Sequence, residues 1–282
     1  MKHVLSPLHH PLALAALLAL GSCSTSETAT TGPGDRDTAL GAQTTVNSAA
    51  GEKQSKNGLT LTPYNDSPRF PAAQLRMNAP VAGATVASPV AFSYDLTNFA
   101  LTKMTGGDHA LQMANSMKGQ HIHLIIDNQP YIAKYETKFT QDIAPGPHVV
   151  LSFLSRSYHE SLKQQGAYDL RTIRVGQDTT RMDFDVKAPA LFYSRPKDTY
   201  AGADAKKIML DFYLVNTTLS ASGNKVRATI NGTEFMLDQW LPHMMEGLPA
   251  GQATIKLELV DNGGTLIPGP YNSVTRTITV AP

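Results

Sequence analysis

From about Ala73 to the C-terminus the chain is written in short runs of alternating apolar and polar residues, separated by Pro, Gly and Asn turns. Val90-Ala-Phe-Ser-Tyr-Asp-Leu, His121-Ile-His-Leu-Ile-Ile, His148-Val-Val-Leu-Ser-Phe-Leu and Leu170-Arg-Thr-Ile-Arg-Val are each of strand length. They are rich in β-branched and aromatic residues, which fit a pleated, half-buried surface. No long segment keeps a helical period. The pattern predicts an all-β chain of antiparallel sandwiches.

An internal repeat sharpens this. His121–Tyr131 (HIHLIIDNQPY) lies over Lys225–Phe235 (KVRATINGTEF), and Arg171–Val175 (RTIRV) lies over Arg276–Val280 (RTITV). Phe92–Asn98 matches Leu210–Asn216, and Pro145-Gly146 matches Ala250-Gly251. Self-similarity at a fixed offset marks repeated structural units. The expected organisation is two tandem immunoglobulin-like sandwiches, over residues 71–187 and 188–282.

The copies differ at two loops. Residues 99–120 precede the HIH strand of the first copy, against 217–224 in the second, an insertion of about fourteen residues. At the last hairpin the second copy has Asp261-Asn-Gly-Gly264, made for a tight turn with positive φ. The first copy has Arg156-Ser-Tyr-His159-Glu160 and an expected longer polar extension through Gly166. In immunoglobulin strand order these are the B–C and F–G loops, which emerge at one end of a sandwich. The insertion, His121, His123 and His159 are therefore expected to converge, with His148 at the opposite end. Function concentrates in such loops.

The N-terminus has a different texture. Lys2, the apolar run Pro11–Leu20 and Leu20-Gly-Ser-Cys23 read as a signal peptide over residues 1–22. Leu-Gly-Ser-Cys is similar to the lipobox of bacterial lipoproteins, which implies lipidation of Cys23, export and anchoring in the cell envelope. Ser24 after the cysteine favours the outer membrane. Residues 23–70 are Ser/Thr/Ala/Gly-rich and read as a flexible tether.

Composition then excludes several classes. The chain has 24 Lys+Arg against 23 Asp+Glu, so a nucleic-acid partner, which needs a basic footprint, is not expected. Its one cysteine rules out a disulfide framework or a Cys-rich metal site. There is no G-x-S-x-G, no P-loop, and His159-Glu-Ser-Leu-Lys163 lacks the second histidine of a zinc helix. A non-enzymatic role is expected, with no cofactor other than a metal.

The candidate chemistry sits in the first copy. His121 and His123, two apart on a strand, share a face, with Ile122, Leu124 and Ile126 on the other. With His109 and His159 they form a candidate copper or zinc set. His109, Met113 and Met117 would share one stripe of a short helix, with thioethers favouring copper. The bland alternative is a solvated basic face, because the second copy has Lys225 and Arg227 there. Tyr131, Arg156, Tyr158, His159 and Glu160, with His121 and His123, form a candidate site for a peptide, glycan or anionic ligand, since Arg suits carboxylate and phosphate geometry.

The runs Gly119–Tyr131 (GQHIHLIIDNQPY), Leu154–Ser161 (LSRSYHES) and Phe192–Lys197 (FYSRPK) resemble a family of exported bacterial lipoproteins. Its members are sometimes labelled "phosphopeptide-binding protein". The resemblance covers most of residues 73–282 and implies an anionic ligand but no reaction. Two functions therefore stand open. One is an envelope-anchored binding or adhesion module, and the other a periplasmic transition-metal binder.

Overall fold

The computed structural model describes residues 51–282. The signal-peptide and Cys23 readings, and the tether before residue 51, lie outside the described residues. No helix among the described residues is long and apolar enough to cross a membrane.

The chain is all-β. It opens with a hairpin, β1 (Gln54–Lys56) and β2 (Leu59–Pro63). The first sandwich follows, with β3 (Gln74–Ala79), β4 (Thr85–Val86), β5 (Val90–Thr97) and β6 (His121–Ile126). It is completed by β7 (Ile132–Lys134), β8 (Lys138–Gln141), β9 (Gly146–Ser155) and β10 (Tyr168–Val175). The second sandwich repeats the order with β11 (Ala190–Arg195), β12 (Thr199–Tyr200), β13 (Ile208–Val215) and β14 (Lys225–Ile230). Its last strands are β15 (Thr233–Leu237), β16 (His243–Glu246), β17 (Gly251–Val260) and β18 (Ser273–Val280).

In each sandwich a three-strand arrangement (β3-β5-β8; β11-β13-β16) faces a five-strand one (β4-β10-β9-β6-β7; β12-β18-β17-β14-β15). Only the short β4 and β12 pair in parallel, each with the last strand of its sandwich. β5 and β6 are thus the B and C strands, and β9 and β10 the F and G strands. Ile122 and Leu124 pack in the first core with Phe92, Leu154 and Ile173, on the face the alternation predicts.

The tether reading is corrected at residues 54–63. Asn57 and Gly58 have φ of 50° and 78°, the left-handed pair of a tight hairpin turn. The hairpin adds to the second sandwich by pairing β2 with β16. Leu59 and Leu61 enter that sandwich's core. Burying each leucine contributes roughly 1.5–3 kcal/mol, which secures a hairpin that would be marginal in isolation.

The two sandwiches meet face to sheet. Ile125, Val149, Leu151 and Phe153 on the outer face of β6 and β9 pack against Phe192 and Tyr213 of β11 and β13. Phe153 stacks on Tyr213 with centroids 4.6 Å apart. Lys163 pairs across the joint with the fully buried Asp211, which also accepts from the Ser161 amide at 3.2 Å. Trp240 sits beside this seam, edge-on to Tyr213 at 5.0 Å and donating to Phe212 O at 2.8 Å.

Candidate metal centre

The β6 alternation sends Ile122 and Leu124 inward and His121, His123 and Ile125 outward, but outward here is under the second sandwich. His121 and His123 are 0% exposed. The expectation of a solvated basic face is therefore overturned: the docked sheet removes water from it.

His159 reaches the same spot from the F–G turn. Its φ is 70°, a left-handed conformation that few non-glycine residues adopt, histidine among the commoner of them. The equivalent residue of the second sandwich is Gly264, with φ of 82°. The two turns share their hydrogen bonds. His159 N donates to Arg156 O at 2.9 Å and Gly264 N to Asp261 O at 3.0 Å, while Arg156 N and Asp261 N donate to Glu160 O and Thr265 O, each at 2.9 Å. The loops run from Ser155 to Tyr168 and from Val260 to Ser273, the same length, so the expected extension is absent. The first copy keeps the glycine geometry and puts a histidine in it, at a backbone cost of order 1–3 kcal/mol.

The three imidazoles converge. His123 Nε2 lies 2.9 Å from His121 Nε2, His159 Nδ1 lies 3.1 Å from it, and the ligand atoms of all three fall within 4.8 Å of one another. His121 Nδ1 is 2.8 Å from Gly119 O. A carbonyl only accepts, so Nδ1 carries the proton and Nε2 presents its lone pair to the other two rings. That carbonyl is placed by Gly119, with φ of 81°, where a Cβ would meet Thr102 O at 2.5 Å. Ser194 Oγ lies 3.5 Å from His123 Nδ1. Tyr131 stacks on His123, with centroids 3.6 Å apart and planes 6° off parallel, and its hydroxyl is 3.1 Å from His159 Nδ1.

The charge state suits ligation. Burial pushes His121 down to about 4, and the Arg195 charge adds to this. Burial also holds His123 and His159 well below the ordinary imidazole range, reinforced for both by the His121 ring, Arg195 and Lys197. All three are neutral at neutral pH, the form that binds metal. A tetrahedral ion with bonds of 2.0–2.1 Å sets its nitrogens about 3.3 Å apart, close to the two spacings from His121 Nε2, while the three atoms together span up to 4.8 Å. Three imidazoles without a carboxylate suit zinc or copper over magnesium or calcium.

Other predicted residues go elsewhere. His109 starts a one-turn helix, α1 (His109–Gln112), packs at a tilt on Tyr64 with ring centroids 4.3 Å apart and pairs with Asp66 at 2.6 Å. It is outside the three-histidine group. The helix ends before it can form a methionine stripe: Met113 is packed with Tyr64, Tyr158, Met209 and Met244, and Met117 is exposed. Tyr158 is thus a packing residue rather than a ligand contact. Arg156 and Glu160 are buried and bonded to each other at 2.8 Å. Arg156 also donates to Pro68 O, at 2.6 and 3.1 Å, and Ser67 donates to Glu160. They fasten the incoming chain instead of facing solvent. His148 lies at the far end, 2.6 Å from Asp127, as strand order requires.

Sequence reasoning missed the second sandwich's share. Arg195 is buried and donates to the Tyr200 hydroxyl, and Lys197 Nζ lies 4.5 Å from the Tyr131 ring centroid. Both belong to the FYSRPK run, whose distinctiveness was the available signal. That run meets the HIH strand and the SYHE turn here, so three stretches distant in sequence build one centre.

No family model and no curated protein matches the chain. Among solved structures, it is similar to the Clostridium thermocellum CbhA fibronectin(III)-like modules, at 11% identity and a TM-score of 0.26, covering 74% of this chain and 94% of that one. Two tandem V-type regions of a v-region-containing chitin binding protein match at 8% identity and a TM-score of 0.22, covering 74% and 100%. The Bacteroides ovatus mixed-linkage glucan utilization protein SGBP-B matches at 9% and 0.22, covering 73% of this chain and 47% of its own length. Scores this low assign neither a family nor a ligand.

Proposed function

We propose that this chain is a transition-metal-binding protein of the cell envelope, holding one zinc- or copper-class ion on His121, His123 and His159. The observation that carries this is the convergence of three neutral ring nitrogens within 4.8 Å. Hydrogen bonding alone serves the cluster poorly. The single lone pair of His121 Nε2 faces two neighbouring nitrogens, and the Tyr131 hydroxyl competes for one of them. A cation at the centre accepts all three lone pairs. The Nδ1–H to carbonyl bond of His121 is the outer contact that orients a metal-binding imidazole. Retention of a strained His159 where glycine fits adds a second reason, because such strain gathers at functional sites.

His121 and His123 are shut from solvent and His159 is only half-buried, so the ion would be held with one open side. The envelope location is supported by the Leu-Gly-Ser-Cys23 sequence and the resemblance to exported lipoproteins. A peptide or glycan ligand finds less support, since Arg156, Tyr158 and Glu160 are already engaged within the fold.

Calorimetric titration of the full chain with zinc and with copper tests the proposal. One ion per chain is expected to bind. His121→Ala with His123→Ala is expected to weaken binding by roughly 100-fold or more, since even outer-contact changes cost 10–100-fold. Absence of binding heat with both metals, or heat unchanged in the variant, would sink it.

A further inference from the structure

Beside the histidines, between the B–C insertion and the segment joining β11 to β12, lies a cleft of about 200 Å³. Tyr131, Arg195, Lys197 and Tyr200 line it, with Asp198 and Asp204 at its exposed side. That volume is the scale of a small ion rather than a polymer.

Its charges are unevenly matched. Arg195 is 6% exposed, its Nε has no hydrogen-bond partner, and among the described residues it forms no ion pair. The buried carboxylate nearest it in the sheet is Asp211, its register partner on β13, and that group is already engaged by Lys163 and the Ser161 amide. Lys197 pairs with Asp198 at 3.1 Å, but that carboxylate is mostly in water, as is Asp204. Solvent screens both acids far more than it screens a buried guanidinium. A divalent ion on three neutral imidazoles would add two positive charges next to Arg195, with no negative ligand among the three. Buried charge without a counter-charge is strongly unfavourable, so the loaded centre needs an anion.

We infer that the centre takes up its metal together with a small oxyanion, a carboxylate or phosphate group, seated in this cleft against Arg195 and Lys197. The inference rests on the metal-binding reading. The planar guanidinium offers the paired donors that such groups accept. Coupling between the two sites has a short path. Arg195 Cζ and Lys197 Nζ lie 5.9 and 4.5 Å from the Tyr131 centroid, and that ring stacks on the ligand His123 at 3.6 Å. The second sandwich is then a working half of the site: it supplies the anion's partners, while the first supplies the metal's.

The test uses the full chain, metal-free and loaded with cobalt(II), whose visible absorption reports that the ion is held. Each form is titrated calorimetrically with inorganic phosphate and, separately, with acetate. At least one anion is expected to bind the loaded chain tenfold or more tighter than the metal-free chain. The arm that binds distinguishes a phosphoryl from a carboxylate source. Lys197→Ala, at a partly exposed position, is expected to weaken that binding several-fold while leaving the cobalt spectrum in place. Equal affinity with and without cobalt, or no binding of either anion by the loaded chain, overturns the inference while leaving the metal reading intact. A chain that fails to hold cobalt, zinc or copper overturns both.

Discussion

The two sandwiches are one design placed in two environments, and the centre is what the environment changed. Strand β6 of the first and β14 of the second present the same positions outward, His121 and His123 in one, Lys225 and Arg227 in the other. In the second copy that face meets water, and Arg227 pairs with Glu258 at 3.0 Å. In the first it is covered by β11 and β13, and the residue opposite His123 is Phe153. A charged pair on a wet sheet has become neutral imidazoles against an aromatic ring. Burial explains the loss of charge but not the choice of histidine, because leucine or phenylalanine would fill the same space without polar nitrogens. The F–G turn shows the same contrast: one hydrogen-bond pattern and one left-handed position, occupied by Gly264 in the second copy and, in the first, by His159, whose ring joins the cluster.

Exchanging residues between the copies breaks the comparison where it is strongest. Giving the first copy the second's residues, His121→Lys with His123→Arg, would bury two cations without partners. A loss of about 3–5 kcal/mol in urea unfolding is expected, and a loss under about 1 kcal/mol would contradict the buried interface. The smallest effect belongs to the exposed counterpart. Arg227→Ala removes a partly solvated pair and is expected to change stability by about 1 kcal/mol or less, by the same urea measurement.

Much of this architecture was legible in the sequence because strand alternation and the repeat are local patterns. The HIHLII run names its own core face, and the length of 99–120 marks the B–C insertion. Convergence of His121, His123 and His159 followed from strand order alone. What could not be read was how the sandwiches dock. Whether an outward face meets water or another sheet is decided by residues some seventy positions away, so the burial of His121 and the role of Arg195 stayed hidden. The same non-locality concealed the partners of Arg156 and Glu160, which come from Ser67 and Pro68. One miss was avoidable. Asn57-Gly58 before Leu59-Thr-Leu-Thr is a hairpin signal, and the surrounding Ser/Thr-rich composition obscured it.

The central claim is that His159 occupies a glycine's position in order to hold a metal, and His159→Gly tests it directly. The variant restores the residue that Gly264 already shows to fit the turn. Metal affinity of the full chain is to be measured by calorimetry, and the stability of the metal-free chain by urea unfolding. The account predicts at least a tenfold loss of zinc or copper affinity, with metal-free stability unchanged or raised by about 1 kcal/mol as the backbone strain is relieved. A variant that binds metal as tightly as the parent would contradict it.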